Sequence, residues 1–411
     1  MLIGVDDTDS LNGGCTTYIA ALLCRELSVN GYPRLIRLNP NIPFKTRGNG
    51  AIALDVKTDD LNETKEIVLR CVERYAHMNE DGTNPGVVFI KKLDRKNWRI
   101  LNEFYKRAVS EIIDICDAEK ISTIVEAEIY KFNNGRGIIG ALAAIGAELR
   151  DRTYELIAYR LKENYGKERR ISEESVFEMN SLLYPETFDN IDLETGQILI
   201  TPHGYDPVFC GIRGETPEVV KRAWNLLEVK EEIEGIQIFE TNQATDDHLR
   251  EKKISDLKPY DSVIIEGRIT RDPRTIAGGH VIFAISDGTG EVACAAYEPT
   301  GNFRDVIRKL KLGDLVRVFG GIGKYANTIN LEKIQILRLR REFKMEAPIH
   351  CGRRMTSAGK GKGFKCRKCS ERLPEDSAIK VEIPRELKPG FYEVPPRARR
   401  HLSKPLIRMT K

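Results

Sequence analysis

A chain of 411 residues is too long for one hydrophobic core, and a prior of roughly 150 residues per domain gives about three or four units. No apolar run approaches the length that spans a bilayer, and Met1 leads straight into a strand with no signal peptide, so the expectation is a cytoplasmic protein with no membrane partner. The net charge of +4 hides an asymmetry: residues 350–411 carry 17 Lys and Arg against 6 Asp and Glu, leaving 48 against 55 elsewhere, which points to a polyanionic partner held by one part of the chain.

From Met1 to about residue 120 the apolar pattern alternates between the two regular periods. Leu2–Val5, Leu35–Leu38, Ile52–Val56 and Val87–Ile90 read as strands, and Thr16–Val29, Thr64–Tyr75 and Glu103–Ile115 as helices. The first strand runs into Asp6, Asp7 and Asp9, three carboxylates within four positions. Such a cluster repels itself, and Mg²⁺ carrying nucleotide phosphates is the usual way to neutralise it. Gly13 and Gly14 then open a helix whose start offers backbone N–H groups and the hydroxyls of Thr16 and Thr17, which suits phosphate. A second loop, Asn39 to Gly50, is rich in Pro, Gly and Asn and has Lys45 and Arg47 at its centre. With Asn41, Thr46, Gly48 and Asn49 it forms a candidate phosphate grip, Arg giving bidentate and Lys point-charge contacts.

Residues 121–245 form a second α+β unit with strands at Thr123–Tyr130, Tyr154–Leu161 and Ile236–Glu240 and a helix at Pro217–Leu227, a pattern consistent with a ferredoxin-like sandwich. Within it, the run from Gly135 to Gly146 has the order G-x-G-x-x-G, but no ribose-binding acid follows at the expected distance, so a close-packed helix is expected rather than a dinucleotide site. The loop from Thr201 to Glu215 gathers His203, Tyr205, Asp206, Cys210, Arg213 and Glu215 in a Gly/Pro frame, which favours a binding role.

Residues 242–259 read as a polar linker. Beyond it lie strands only, with Asp287-Gly288-Thr289-Gly290 as a hairpin turn and one helix near Phe303, the pattern of an OB-fold barrel over 255–343. Tyr297, Phe303 and Tyr325 are its candidate stacking aromatics. Residues 344–375 carry Cys351 and Cys366-x-x-Cys369, resembling a zinc ribbon that lacks one Cys where Pro348 stands; three thiolates remain, with His350 as a candidate fourth ligand for Zn²⁺. Residues 376–411 are expected to be a basic tail that orders on a polyanion.

The ordered combination resembles the archaeal 2-agmatinylcytidine synthetases, which act on the minor isoleucine tRNA with a CAU anticodon. The matching residues are Asp6-Asp7-Thr8-Asp9-Ser10 with Cys15-Thr16-Thr17-Tyr18, the 39–49 loop, His203-Gly204-x-Asp206-Pro207-Val208 through Gly211-Ile212-Arg213-Gly214-Glu215, the barrel and the Cys ribbon. The resemblance implies a kinase-like α/β domain over 1–120 and ATP-dependent attachment of agmatine to C2 of the wobble cytidine, changing decoding from AUG to AUA. It implies that O2 of the cytidine is phosphorylated and that agmatine then displaces phosphate. By motif match, Asp6, Asp7 and Asp9 would hold Mg²⁺ and ATP, Asp7 most directly. Thr16 corresponds to the family's autophosphorylated threonine. Lys45 and Arg47 would neutralise the transferring phosphoryl group. The 203–215 loop would shape the agmatine pocket, with Asp206 and Glu215 as partners for the cationic ligand. Two rival readings remain: a single-strand-binding protein with inert α/β domains, which needs no ATP turnover, and a small-molecule kinase, whose turnover ignores tRNA.

Overall fold

The structure is a computed structural model that describes residues 1–46, 48–325 and 327–409; Arg47, expected in the phosphate grip, lies outside the described residues. The first strands in chain order are β1 (Leu2–Asp6), β2 (Arg34–Arg37), β3 (Gly50–Asp55), β4 (Gly86–Ile90), β5 (Glu128–Lys131) and β6 (Thr153–Arg160). Among the described residues they belong to one nine-stranded sheet in the order β5-β4-β1-β3-β2, then Ile233–Thr241, β6, Val208–Gly214 and Thr187–Phe188. The join between the halves is a parallel pairing of Ile233–Thr241 with β2, Glu240 opposite Arg34. The two α/β units therefore share a sheet, and the division placed at residue 120 falls inside a helix.

Five helices cover the first half: α1 (Thr16–Glu26), α2 (Leu61–Tyr75), α3 (Arg95–Ala108), α4 (Ile115–Ile124) and α5 (Ile138–Gly146). The expected helix at Glu103–Ile115 and strand at Thr123–Tyr130 are both corrected. Asp94 caps α3 by accepting from the Asn97 amide, so that helix starts earlier; α4 then begins after Asp114 and carries the β-branched run to Ile124. Packing of α4 on α5 overrides the strand propensity of that run, and Glu126 ends it with φ of +56°.

α5 decides where the site can be. All nine of its residues are buried, so the close-packed helix expected from its Gly/Ala content is present. It lies flush on β1 because Gly4 has no Cβ to meet the Ala141 carbonyl, and Gly86 none to meet Ile138. At its start, side chains on Gly137 and Gly140 would overlap Asp6. The glycine spacing therefore serves a close approach of α5 to the end of β1, where the acidic cluster stands.

The barrel is closed by antiparallel pairing of Ser262–Thr275 with Leu315–Ile322 and by a parallel pairing of Glu291–Ala296 with Thr328–Arg338. Phe303 belongs to the barrel core at 3% exposure and is no stacking platform, whereas Tyr297 and Tyr325 are exposed. The segment after Asn242 is not a free linker. Asn242, Gln243 and His248 are fully buried, and Asn242 pairs with the backbone of Arg37 at both its N–H (2.8 Å) and carbonyl (2.9 Å).

The C-terminal segment also departs from expectation. Arg397 reaches Asp192 at 2.7 Å, Arg399 contacts Asp189, and Arg408 bonds Glu215 at 2.9 Å and Asp151 at 2.8 Å. The acidic body is the partner of much of the basic tail, so part of the charge asymmetry is satisfied within the chain.

Barrel and tail meet at a buried cluster in which Glu332 faces His248 at 3.0 Å and Arg400 at 3.7 Å. Burial alone would raise the Glu332 carboxyl, but His248, Arg400 and Lys333 hold it down at about 2. A depressed carboxylate stabilises the fold above its unfolded value of 4.5 and loses that contribution as pH falls through about 2, an upper bound of roughly 3 kcal/mol. The unfolding free energy of Glu332→Gln should accordingly lie furthest below that of the wild type near pH 6, with the gap narrowing below pH about 4. Urea titrations across that range check this; a gap that widens on acidification would contradict the assignment.

Candidate active site

The end of β1 turns sharply at Asp7, whose φ of +59° is a left-handed conformation that Asp tolerates better than most residues. Burial and then repulsion from Asp7 hold the Asp6 carboxyl well above its usual range, with Arg136 acting in the opposite sense. Asp7 is pushed up to about 6, by burial first and Asp9 second, against hydrogen bonds from the backbone and side chain of Asn84. Three crowded carboxylates of this kind bind a cation to relieve the repulsion of their charges. The Asp9 carbonyl accepts from Thr83 Oγ1 at 3.0 Å and Thr46 Oγ1 at 3.4 Å, tying the acidic turn to both neighbouring loops.

Thr16 and Thr17 at the start of α1 face the same space, and Thr16 Oγ1 lies 3.0 Å from Thr8 Oγ1. Gly14 has φ of +73° with the Thr8 carbonyl and the Asp9 Cα close behind it, so a side chain there would be strained as well as crowded. Gly13 does not line the cavity; it closes the turn by accepting from the Ser10 N–H at 2.8 Å.

The Asn39–Gly50 loop is held from outside. Asn41 donates to the Asp261 carbonyl at 3.0 Å and to Ser262 Oγ at 2.8 Å, and Asn39 donates to the Tyr260 carbonyl at 3.0 Å. These are barrel residues, so the barrel sets the position of the loop. Asn41 therefore anchors the loop from the barrel side, while Lys45, Thr46, Gly48 and Asn49 line the cavity. Lys45 folds back on the Pro40 carbonyl and is lowered by burial and by Arg400.

All of this surrounds one cavity of about 290 Å³. Its other wall comes from the second half of the sheet: Asp206, Arg213 and Glu155. Glu155 sits between Arg213 at 3.3 Å and Arg37 at 3.5 Å and accepts from Gln243 at 2.6 Å. Burial would raise the Glu155 carboxyl, but the two guanidiniums outweigh it and the net shift is downward.

Of the expected substrate-binding loop, Asp206 and Arg213 reach the cavity; the others do not. Glu215 is engaged by Arg408 outside it, because the C-terminal helix docks there. Cys210 is fully buried on the far side of its strand, with its thiol pushed up by burial. Tyr205 is exposed and packs edge-on to Tyr165, with ring centroids 6.4 Å apart, and His203 stands outside the lining.

Five charged or titratable lining residues outside the predicted sites escape sequence reasoning: Arg37, Glu111, Arg136, Glu155 and His401. Arg136 sits between the first two glycines of the α5 run, stacks on Phe44 at 4.3 Å and is lowered by burial but raised by Asp7. A cation next to that run is the available signal. His401 has none.

In the ribbon, the ligand atoms of His350, Cys351, Cys366 and Cys369 lie within 4.8 Å of one another. Cys351 Sγ is 3.6 Å from Cys369 Sγ, close to the roughly 3.8 Å between thiolates on one tetrahedral zinc. Adjacent residues both reach the cluster because Cys351 adopts φ of +49° and turns its side chain back beside His350. The donor set therefore fits Zn²⁺, with His350 taking the place left by Pro348. Cys369→Ser should lose stoichiometric zinc by elemental analysis.

Comparison with known proteins agrees with these parts. Family models for the TiaS TCKD domain match residues 2–60, the TiaS FLD domain 135–248, an OB-fold nucleic acid binding domain 263–337 and the TiaS C-terminal zinc ribbon domain 348–387. The chain is 47% identical to the isoleucine-tRNA 2-agmatinylcytidine synthetase TiaS of Methanocaldococcus jannaschii, over 99% of this chain and 98% of that protein. It superposes on a crystal structure of apo TiaS, an isoleucine-tRNA agmatidine synthetase, with a TM-score of 0.90 at 46% identity, covering 100% of this chain and 98% of the other. A complex of TiaS with its isoleucine tRNA, AMPCPP and agmatine matches with a TM-score of 0.87 at 44% identity, covering 100% and 97%.

Proposed function

This chain belongs to the family of isoleucine-tRNA 2-agmatinylcytidine synthetases, and from that premise we propose how its residues carry out the ATP-dependent ligation of agmatine to the tRNA cytidine. The carrying observation is the pairing of an acidic wall, Asp6, Asp7 and Asp9, with a basic wall across one cavity. The acidic wall would hold Mg²⁺, which supplies charge neutralisation for the nucleotide phosphates. Thr16 and Thr17 at the start of α1, with Asn49 and Gly48 opposite, line the side where ATP phosphates would lie. Lys45 would leave its own loop carbonyl for the transferring phosphoryl group, and Thr16 would be the hydroxyl that accepts phosphate in autophosphorylation.

The chemistry needs activation because the oxygen on C2 of cytidine is a poor leaving group. Phosphoryl transfer to O2 makes C2 electrophilic and gives it a phosphate to expel. The amine of agmatine then attacks, and the carboxylates of the acidic wall and of Asp206, which also pairs with Arg169 at 3.4 Å, would face the cationic ligand. The cytidine must leave its stack to enter the cavity. The barrel and the ribbon, rich in exposed Lys and Arg, would hold the tRNA. Cysteines that are free thiols, together with a tRNA substrate, support a cytoplasmic enzyme. Among the described residues, no helix is long and apolar enough to cross a membrane.

The test is incubation with Mg-ATP, agmatine and the CAU-anticodon isoleucine tRNA, followed by mass analysis of the wobble nucleoside. Addition of agmatine with loss of water, dependent on both ATP and Mg²⁺, is expected. Tight tRNA binding with an unmodified cytidine would favour a binding protein instead, and ATP turnover indifferent to tRNA a small-molecule kinase.

A further inference from the structure

His401 comes from the C-terminal segment, yet it lines the catalytic cavity more than 350 positions from the acidic turn. Its Nδ1 lies 2.7 Å from Arg213 Nη2. A guanidinium only donates, so Nδ1 accepts and the ring proton sits on Nε2. That nitrogen faces Gly48, where an added Cβ would stand 3.0 Å away. The ring is also held neutral: burial, then Arg37, Arg213 and Lys45, keep its protonation well below the usual range. Three cations thus converge on a neutral imidazole that presents a donor.

The cations around it, Arg37, Arg213 and Lys45, crowd together. Among the described residues, Arg37 and Arg213 share the carboxylate of Glu155; Asp189, 3.8 Å from Arg213, is also bonded by Arg399, which reaches Glu393 at 2.9 Å as well, and Asp9 acts on Arg37 from the acidic wall. Arg37 is lowered by burial first, while the carboxylate of Glu155 and the mutual repulsion with Arg213 act in opposite directions. A largely buried wall of crowded guanidiniums and fixed donors suits an oxyanion. The acidic wall opposite suits the metal side of a nucleotide, so the anion received here is a different one.

We propose that Arg37, Arg213 and His401 form the seat of the phosphoryl dianion carried on cytidine O2 and expelled as inorganic phosphate, with Glu155 as the residue that positions both arginines. This rests on the functional reading above. In the step served by the seat, the agmatine nitrogen forms its bond to C2 and the C2–O2 bond breaks. Its electron pair leaves on the phosphate oxygen, and one amine proton passes to solvent. His401 acts by fixing the Arg213 fork and donating from Nε2.

The test uses the full chain with the CAU-anticodon isoleucine tRNA, ATP labelled in its γ-phosphoryl group, and agmatine, with label on tRNA followed after quenching. His401→Phe fills the same space without an acceptor for Arg213. Labelled tRNA should accumulate, and its agmatine-dependent loss should slow by about tenfold or more, with KM for ATP changed less than about threefold. His401→Gln, which can accept from Arg213 and donate onward, should restore the loss of label to within about threefold of wild type. Arg213→Lys, which keeps the charge but not the fork, is the second variant should Phe disturb packing, and it should also accumulate label. A raised KM for ATP without labelled tRNA would mean the arginines hold the incoming nucleotide, and the proposal would fall. A wild-type enzyme that neither labels tRNA nor adds agmatine would instead sink the functional reading, and the seat with it.

Discussion

Replacing Asp7 by Asn should lower agmatine incorporation by roughly 10³-fold, the scale of removing one preorganised charge from a transition state, with tRNA affinity nearly unchanged. Asp7 sits at the turn where β1 ends, and its carboxyl is pushed up to about 6 by burial and by repulsion from Asp9. Asn keeps the size and the hydrogen-bonding reach toward Asn84 but removes the negative charge. Less repulsion remains in the metal-free protein, so the variant should be no less stable to urea than the parent. Its failure would lie in holding Mg²⁺ and the nucleotide. Nucleoside mass analysis gives the rate, filter binding gives the tRNA affinity, and thermal shifts with and without Mg-ATP separate binding from chemistry. Loss of tRNA binding in parallel with activity would mean that the turn is structural.

Glu155→Gln should destabilise the fold by about 3–5 kcal/mol, the range found when one partner of a buried ion pair is removed. Glu155 is only 4% exposed and is the carboxylate on which Arg37 and Arg213 both lean, so its neutralisation leaves two guanidiniums facing each other across little more than Gln243. Pairing the change with Arg37→Met should recover part of the loss, because one uncompensated charge is then gone. A shift in the urea midpoint with an unchanged slope checks this. The single variant should also lose activity well beyond its unfolded fraction, since the arginines would no longer hold their orientation.

The acidic cluster is legible in the sequence because it combines an unusual density of like charge with a strand end and a glycine pair. The 39–49 loop is legible for a similar reason, a basic centre in a Pro/Gly frame. The barrel shows itself through strand spacing and a hairpin turn. What stays hidden depends on contacts across long separations. Arg37 and Glu155 look like ordinary polar residues of β2 and β6, and the parallel pairing of Ile233–Thr241 with β2 brings the halves together. The unusual loop around Glu215 suggests a ligand for agmatine, but the neighbour of that carboxylate, Arg408, lies nearly two hundred residues on. The tail looks free from its composition because composition reports charge but not where the opposite charge will be. The strand expected near Thr123 fails because the β-branched residues of α4 are overruled by packing on α5.

The docking of Arg400 on Asn41, and of His401 on Arg213, also bears on how the enzyme is made. A protein is synthesised from its amino terminus, and its early domains fold while later ones are still being translated. The acidic turn, the sheet and the barrel can all form before residue 400 has left the ribosome. The cavity at that stage lacks His401, and the loop around Asn41 lacks one of its anchors. Fragments from stalled or prematurely terminated translation that end before residue 401 would then keep the acidic turn and the sheet yet lack the ring beside Arg213, and should complete the ligation more slowly than the full chain.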